Sequence, residues 1–341
     1  MARRVTASFA VVVAAVMAGC GSRGDHAVPK FVEGQLVIPD RDAEFTEVTR
    51  EFGPLTVRDG DIHFESARPG WSGPWLPARD NYLFATRNGV VSPLEKYDSF
   101  ARQLGGLPDS DAAGYERDHI FSWGADSWEG ECDAWSAASL IEPEPKTDLI
   151  VRGTRFTVAD QKSLLIKSYE NLEGIRKFGQ RFDGTRTTSS FDDIYPDQFH
   201  RFLEKEIGER GRPFVMDIDM TRQVWNYPVW MATGKMERDP AESRIMHVSL
   251  WIHSTRPIQP DGDYNTVGSL PTSFRYTYDL YGTPTADGEL KVSYGVWTGH
   301  SLDEHPDFVT QLPDDPHPNH HSQNPQLDPD TLKDLLSRTR Q

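Results

Sequence analysis

The sequence predicts an α+β fold in which helices precede a set of antiparallel strands. Residues 92–207 contain helix signals, namely capping residues, proline in first turns and apolar residues three and four positions apart. Residues beyond Gly211 contain β-rich runs separated by polar or Gly/Pro turns. The hydrophobic fraction of 37%, with nine Trp and 17 Phe, is typical of a globular chain. Helices followed by strands indicate an α+β domain.

The N-terminus has the three parts of an export signal. Two arginines precede an apolar run at residues 11–17, which is shorter than the roughly 20 residues of a membrane-spanning helix. Ala18 and Gly19 then lead into Cys20, an order that resembles a bacterial lipobox. We therefore expect cleavage before Cys20 and lipid on its thiol, which would anchor the protein to a membrane of the cell envelope, facing the periplasm or the exterior. Ordinary signal cleavage near Cys20 is the alternative, and it would also export the protein.

Composition divides the chain into further parts. Residues 20–51, after the predicted signal, are polar. Residues 52–118 are rich in Gly, Pro and aromatic residues, and residues 313–341 are polar and rich in Pro. We expect the last part to be flexible and its removal to change stability little. The predicted parts are a signal peptide at 1–19, a tether at 20–51, a globular domain at 52–312 with an irregular aromatic-rich layer at 52–118 and a core at 119–312, and a tail at 313–341.

Helices are predicted at four places. Ser92 followed by Pro93 and Glu95 has the pattern of a capped helix start. The run from Cys132 to Ile141 alternates small and apolar residues, which indicates a buried helix that ends before Pro143. The other two helices are predicted at 160–172 and 196–207, with a hairpin at 148–158 between helices.

Strands are predicted in the C-terminal half, where β-branched and aromatic residues are frequent. A short additional strand is predicted at 35–38 in the tether. The predicted C-terminal strands are 214–218, 245–252, 273–281 and 290–297.

The net charge of −16 excludes some classes of partner. Nucleic acids and anionic lipid surfaces repel a chain of this charge, so we expect neither as a direct partner. Contact with a membrane is then expected through the N-terminal lipid alone.

The two cysteines of the chain direct attention to the thiol of Cys132. The chain has two cysteines, Cys20 and Cys132, and a lipid on the first leaves the second without an intramolecular disulfide partner. An exported protein that keeps a lone thiol keeps it either as an inert buried side chain or for its reactivity.

The residues around Cys132 favour a nucleophile. Gly130 allows a tight turn, and a helix that begins at the cysteine places its thiol against free backbone N–H groups, which lower the thiol pKa. This is the layout of a papain-like nucleophile, and the same N–H groups can receive an oxyanion. Glu131 and Asp133 raise the thiol pKa, so the chemistry would need a nearby imidazolium. The alternative is a buried cysteine that packs like alanine in a small-residue helix.

Two motifs resemble those of the elicitor transglutaminases, a family of oomycete plant pathogens and some bacteria. Residues 130–138, Gly-Glu-Cys-Asp-Ala-Trp-Ser-Ala-Ala, with Glu-Pro-Glu-Pro at 142–145, are similar to the family's cysteine motif, although Ala134 replaces a glycine and Ser136 an alanine. Residues 224–229, Val-Trp-Asn-Tyr-Pro-Val, are similar to the core of the family's elicitor peptide, with Tyr227 in place of Gln. Further similar segments lie at 92–98 and 305–308, so the resemblance extends from about Trp75 to Phe308.

The resemblance implies a papain-like catalytic core with Cys, His and Asp in that chain order. It implies acyl transfer from a protein glutamine to a lysine amine through Cys132. Calcium dependence is associated with the oomycete members, and no residue of this sequence can be assigned to calcium. The residues themselves require no cofactor.

An acyl-transfer thiol needs a base and a carboxylate that orients it. Phe199-His200, followed by Phe214 and Asp217, resembles the family arrangement, so His200 is the candidate base and Asp217 the candidate orienting group. Asp219 is the nearest substitute for Asp217, and His305 with Asp307 is the rival pair.

The remaining histidines have other interpretations. His247 and His253 lie on one face of a predicted strand and could be core residues. His317, His320 and His321 are in the polar tail and lack the fixed spacing of a zinc site, so no metal site is expected.

Trp135, Trp225 and Asn226 are the candidate substrate-binding residues. A tryptophan one turn after a nucleophile also packs its helix on a sheet, so both tryptophans have a structural interpretation. Trp225 and Asn226 could line an acceptor cleft.

Three functions are compatible with these observations. The first is a transglutaminase with protein glutamine and lysine substrates. The second is a cysteine peptidase or deamidase on the same core, because water and amine compete for one acyl-enzyme. The third is a non-catalytic envelope lipoprotein that binds protein or cell-wall material. An imidazole within about 4 Å of the Cys132 sulfur would favour an enzyme.

Overall fold

The structure is a computed structural model that describes residues 28–181, 193–218, 220–258 and 265–338. The predicted signal peptide, Cys20 and Asp219 lie outside the described residues. No described helix is long and apolar enough to cross a membrane. The α-helices within the described residues are α1 (Glu47–Phe52), α2 (Pro93–Gln103), α3 (Ala112–Tyr115), α4 (Cys132–Ile141), α5 (Val158–Ser168), α6 (Pro196–Leu203) and α7 (Pro329–Ser337).

The strands are short at both ends of the chain and long between residues 226 and 297. They are β1 (Lys30–Val32), β2 (Gln35–Val37), β3 (Thr56–Val57), β4 (Gly60–Glu65), β5 (Leu149–Val151), β6 (Thr154–Phe156), β7 (Asn171–Leu172), β8 (Arg176–Gly179), β9 (Phe214–Asp217), β10 (Asn226–Arg238), β11 (Ile245–Thr255), β12 (Pro271–Pro284), β13 (Leu290–Trp297), β14 (Phe308–Gln311) and β15 (His320–His321).

Local sequence explains where the helices begin. At α2, the Ser92 hydroxyl accepts from the Glu95 N–H at 3.3 Å and the Glu95 carboxylate accepts from the Ser92 N–H at 3.1 Å, with Pro93 in the first turn. The predicted helix start at Ser92 is confirmed. At α5, Thr157 and Asp160 form the same kind of box, so this helix begins two residues earlier than predicted.

A curled antiparallel sheet forms the centre of the fold. Eight strands follow one another in the order β3-β13-β12-β11-β10-β9-β14-β8, and β4 pairs with β10 as the ninth. One edge of β10 pairs first with β9, from Asn226 to Val229, and then with β4, from Met231 to Met236. A register shift between Val229 and Met231 falls where the partner changes, and such a bulge bends a strand. The predicted mixture of helices and antiparallel strands is confirmed.

The sheet separates two hydrophobic cores. Phe214 and Met216 of β9 pack in one core with Phe202 of α6, whereas Val215 packs in the other with Trp135 of α4. Alternate residues of a strand point to opposite faces, so α6 and α4 lie on opposite sides of β9. Helices α2, α5 and α7 share the core of α4. This separation decides which side chains can meet at Cys132.

Part of the predicted tether belongs to the folded domain. Phe45 and Val48 are buried, and Arg41 forms a bidentate pair with Asp197 on α6 at 2.8 and 2.6 Å. The described residues of this segment also contain the β1–β2 hairpin, near the single strand predicted at 35–38. The boundary drawn at residue 51 is therefore too late.

The structure also corrects the prediction of a flexible tail. Leu327, Leu332 and Leu335 are buried beside α2 and α5, and Asn324 Nδ2 donates to the carbonyl of Ala112 at 2.9 Å. The apolar residues of α7 lie among many polar ones in the sequence, which lowered the apparent hydrophobicity of the segment. Residues 313–338 are part of the packed structure.

Candidate active site

Cys132 is the first residue of α4 and lies at a cleft. The predicted helix from Cys132 to Ile141 is confirmed, and its first residue is 6% exposed. The cleft has a volume of about 630 Å³, and its walls include Asp133, Asn226 and Phe308. The thiol is thus nearly covered but adjoins a space large enough for a side chain.

Asn226 provides two N–H donors directed at the thiol. Its backbone N–H lies 3.4 Å from Cys132 Sγ, and its side-chain Nδ2 lies 3.7 Å from the same atom. The thiol in turn lies 3.7 Å from the carbonyl oxygen of Val224. Asn226 begins β10 and is paired with Asp217 on β9, so the sheet fixes its position. Donors so placed can stabilise negative charge at or near the sulfur.

Gly130 is required by close packing before the nucleophile. A Cβ at this position would lie 2.6 Å from a ring carbon of Trp75 and 2.9 Å from the carbonyl oxygen of Leu76. The N–H of Glu131 donates to the carbonyl of Trp75 at 2.7 Å. The loop before α4 is therefore pressed against the segment of Trp75.

Burial, and not the helix N-terminus, governs the thiol pKa. Burial and the nearby charge of Asp133 raise the pKa of Cys132 to about 12, against the opposing hydrogen bonds from Asn226. The charge of Asp217 also raises this pKa. The expectation of a lowered thiol pKa is wrong for this structure, and Cys132 is a neutral thiol at pH 7.

Asp217 lies at the same site as Asn226. It is fully buried, and its Oδ1 accepts from the N–H of Trp225 at 2.9 Å. Because its charge raises the pKa of Cys132, its carboxylate is electrostatically coupled to the thiol. The structure thus brings together Cys132, Asp217 and Asn226, three of the residues singled out from the sequence.

Both acidic and basic side chains line the cleft. The acidic side chains come from the loop before α4 and its first turn, at Asp126, Glu129 and Asp133. The basic ones come from β8, the residues after it and the loop before β10, namely Lys177, Arg181 and Arg222. Apart from Asp133, whose charge beside Cys132 was noted from the sequence, these lining residues were not recognised, because isolated charges in a sequence do not show that they converge.

His200 lies away from the thiol. Its Nδ1 is 2.7 Å from the hydroxyl of Tyr278, inside the core on the α6 side of the sheet. Burial lowers the pKa of His200 to about 4, so it is a neutral core histidine. The prediction that His200 lies within reach of Cys132 and Asp217 is corrected, because α6 and α4 occupy opposite faces of β9.

His305 is also held elsewhere. Its Nδ1 lies 2.8 Å from the carbonyl oxygen of Ser301, its Nε2 lies 3.2 Å from Asp193, and its ring stacks on Trp297 at 5.1 Å. Asp193 is thus a carboxylate neighbour of His305, and it is not the residue that the sequence suggested, Asp307. None of the ten histidines in the described part of the chain lines the cleft of Cys132.

The two tryptophans differ in access. Trp135 is fully buried, and its Nε1 donates to the carbonyl of Trp71 at 3.2 Å, so it packs the helix and is closed to a substrate. Trp225 is half-buried and meets Trp75 edge to face at 5.5 Å. Of the predicted substrate-binding residues, Asn226 lines the cleft, whereas Trp225 is connected to the site by its backbone N–H, which donates to Asp217.

Calcium dependence stays a prediction of the family resemblance. Among the described residues, no group of three or more His, Cys, Asp or Glu side chains is arranged to hold a metal ion. His320 of the tail stacks on Tyr169 at 3.8 Å and bonds the carbonyl of Ser168. Three glutamates do converge behind α4, but the ammonium of Lys167 lies between them.

Comparison with known proteins agrees with the sequence motifs. A family model described as transglutaminase elicitor matches residues 106–242, which include Cys132, Asp217 and Asn226. No curated protein matches the sequence. Among solved structures, the GP42 transglutaminase from Phytophthora sojae has a TM-score of 0.65 at 19% identity, with 88% of this chain and 98% of that chain covered. At this identity the likeness shows a shared fold of helices and curled antiparallel sheet.

Proposed function

We propose that this protein is a thiol acyltransferase of the transglutaminase type, which joins protein glutamine to primary amines through a thioester at Cys132. One observation carries the proposal: Cys132 begins a helix at an open cleft, with both N–H groups of Asn226 directed at its sulfur. The match of residues 106–242 to the transglutaminase elicitor family supports this chemistry. A papain-like arrangement of the core is part of the same proposal.

The first half-reaction forms the thioester. Sγ of Cys132 attacks the carboxamide carbon of a glutamine while the thiol proton passes to the Asp217 carboxylate. Asn226 donates hydrogen bonds to the oxyanion. The C–N bond then breaks, the nitrogen takes the proton back from Asp217, and ammonia leaves. Because burial raises the thiol pKa to about 12, the proton is removed during the attack and not beforehand.

The second half-reaction releases the product. A lysine amine attacks the thioester carbonyl and gives a proton to Asp217, and the departing sulfur recovers that proton as the C–S bond breaks. The product is an isopeptide bond, and the enzyme returns to its starting state. Water in place of the amine would give glutamate, so hydrolysis accompanies transfer when amine is scarce.

Amine incorporation tests the proposal. The full chain is incubated with a lysine-dimethylated, glutamine-bearing protein and a fluorescent primary amine, with and without calcium. We expect label on the acceptor protein and release of ammonia, both lost in Cys132→Ser. Label that still appears on the acceptor protein with Cys132→Ser would contradict the proposal.

A non-catalytic binding lipoprotein is the second candidate. It is favoured by the absence of any described histidine from the cleft and by the neutral state of the thiol. This candidate gains support if neither amine incorporation nor ammonia release occurs while glutamine peptides still bind the cleft.

We also propose that the protein acts in the cell envelope, held by lipid on Cys20. The order Ala18, Gly19, Cys20 after an apolar run supports this placement. Substrates would then be proteins at the outer side of the membrane.

A further inference from the structure

Lys167, near the end of α5, holds a buried cation among three carboxylates. Its side chain is fully buried, and its ammonium lies 2.8 Å from Glu116, 2.8 Å from Glu131 and 2.6 Å from Glu170. Each contact is a charge-assisted hydrogen bond of ordinary length. An ammonium has three donors, and all three are used here.

The cluster joins parts of the chain that are distant in sequence. Glu116 begins a π-helical turn after α3, Glu131 precedes α4, and Glu170 follows α5. The second oxygen of Glu116 accepts from Asn324 at 3.0 Å, and that of Glu170 accepts from Ser322 at 2.6 Å. Lys167 therefore connects the loop before the nucleophile with the C-terminal segment.

The charges of the cluster do not balance. Three carboxylates surround one ammonium, and Oε2 of Glu131 is buried without a hydrogen-bond partner among the described residues. Burial raises the pKa of Glu131 well above its usual range, although Lys167 opposes this shift. Burial by itself lowers the pKa of Lys167, but the charges of the three glutamates outweigh burial, so the pKa of Lys167 is raised. The set of oxygens is one that attracts a cation, and the chain supplies that cation itself.

The connection to the thiol passes through Glu131. This residue immediately precedes Cys132, and its carbonyl accepts the N–H of Trp135 at 2.9 Å in the first turn of α4. Its side chain is held by Lys167 and its N–H by Trp75. Glu131 is thus fixed at three points, and the start of the helix that presents the thiol is fixed with it.

We propose that Lys167 is a positioning residue for Cys132, and that its ammonium takes the place of a bound cation in the cluster of Glu116, Glu131 and Glu170. The inference rests on the proposed function, in which Cys132 is the reacting group. Its consequence is that removal of the ammonium creates a site for a hard divalent ion, because carboxylate oxygens are the ligands that Ca²⁺ prefers.

A second buried lysine on the same helix gives a matched control. Lys162 is also fully buried, and it binds the carbonyls of Ser72 and Thr266 and one carboxylate, that of Glu144. Within the described part of the chain, these hydrogen bonds of Lys162 go to none of the residues that lead directly into α4. Loss of Lys162 should therefore lower stability without acting on the thiol.

The test compares wild type, Lys167→Ala and Lys162→Ala in the full chain, each with about 10 mM CaCl₂, with NaCl of equal ionic strength, and with chelator. Two quantities are measured: the melting temperature and the rate of Cys132 alkylation by iodoacetamide from pH 7 to 10.

In Lys167→Ala we expect alkylation about tenfold slower at a given pH, because uncompensated carboxylates raise the thiol pKa by about one unit. Ca²⁺ should restore this rate and raise the melting temperature by about 3 °C or more. Wild type and Lys162→Ala should respond to Ca²⁺ no more than to NaCl.

The proposal is overturned if folded Lys167→Ala alkylates at the wild-type rate, or if Ca²⁺ acts on it no more than NaCl does. Should Lys167→Ala fold only in the presence of Ca²⁺, that dependence itself supports a cation site. Glu131→Gln provides a variant that keeps Lys167 but weakens its bond to the loop before Cys132, so the alkylation rate should change. An unchanged rate would show that the cluster does not act on the thiol. These measurements follow the thiol and the fold, so a failure of amine incorporation leaves them interpretable.

Discussion

At the scale of single residues, the protonation state of Cys132 depends on two opposing effects, burial and hydrogen bonding. The N-terminus of α4 and the two donors of Asn226 favour a thiolate, whereas burial and the charges of Asp133 and Asp217 disfavour it. The effects that disfavour the thiolate prevail, because burial removes the water that would solvate the anion. Reaction at this thiol therefore needs a proton acceptor that acts during the attack.

Asp217→Asn tests the acceptor. We expect kcat for amine incorporation to fall by about 10²-fold or more, since the amide cannot take the thiol proton. His200→Gln should change kcat little, because His200 lies on the other side of the sheet. Steady-state kinetics of both variants, with circular dichroism to confirm folding, make the comparison. If folded His200→Gln loses much of its kcat while Asp217→Asn keeps the wild-type kcat, the proton acceptor is His200 and not Asp217.

His200 should instead make stability depend on pH. Its pKa is lowered from 6.5 to about 4 by burial, so the unfolded chain binds a proton that the folded chain does not. Above pH 6.5 the histidine is neutral in both states and does not lower stability. As the pH falls below 6.5 the unfolded state gains a proton first, which lowers the free energy of unfolding by about 3 kcal/mol at pH 4. Urea unfolding between pH 4 and 7 should show a smaller decline in His200→Gln. Equal declines in the two proteins would contradict the neutral core histidine.

The sequence located most of the site but gave the role of base to the wrong residue. Cys132 and Gly130 were recognisable from helix chemistry, and Asp217 and Asn226 from family motifs. His200 was assigned wrongly because sequence spacing does not reveal which face of a sheet a helix covers. Lys167 was missed because a lysine in a predicted helix is most often solvent-exposed, and only the packing of α5 buries it.

At the scale of elements, β10 determines the geometry of the site. Its first residue holds the thiol, its early residues pair with β9, and its later ones pair with β4. This strand was not among those predicted from the sequence, and it contains Pro228, a residue that is unusual in a central strand. Pro228 lies opposite Val215 of β9, just before the point at which the partner changes. Strands β11 to β13 were predicted well, since alternation of apolar residues is regular there.

The C-terminal segment provides a second prediction at this scale. Leu335→Ala should lower the free energy of unfolding by about 2–5 kcal/mol, because Leu335 is fully buried against the core of α4. The exposed neighbour Lys333→Ala should stay within about 0.5 kcal/mol of wild type. Chemical denaturation measures both, and an unaffected Leu335→Ala would mean that α7 is not part of the folded unit.

At the scale of the whole molecule, the two ends of the chain are assigned different roles. The described C-terminal segment is packed against α2 and α5 and bonded to the Lys167 cluster. The N-terminal residues 1–27 lie outside the described structure, and their role is inferred from sequence alone. In the proposed arrangement, a lipid on Cys20 would hold this folded domain at the membrane.

Lipid attachment predicts a change in partition. Cys20→Ser should remove the acyl chains and shift the protein from the detergent phase to the aqueous phase in a Triton X-114 separation, or leave an uncleaved precursor. Cys132→Ser is the matched control, and it should partition like wild type. A Cys20→Ser protein that remains in the detergent phase at mature size would argue against the anchor.

The central claim is that Cys132 forms a thioester with a glutamine side chain. The most direct measurement is intact mass spectrometry of the protein after acid quench during turnover of a glutamine peptide. The account predicts a population heavier by the peptide mass less one ammonia, mapped to Cys132, removed by hydroxylamine and absent from Cys132→Ser. A bound peptide without any adduct, together with a Cys132 that alkylates only after denaturation, would contradict it and leave a core thiol in a binding protein.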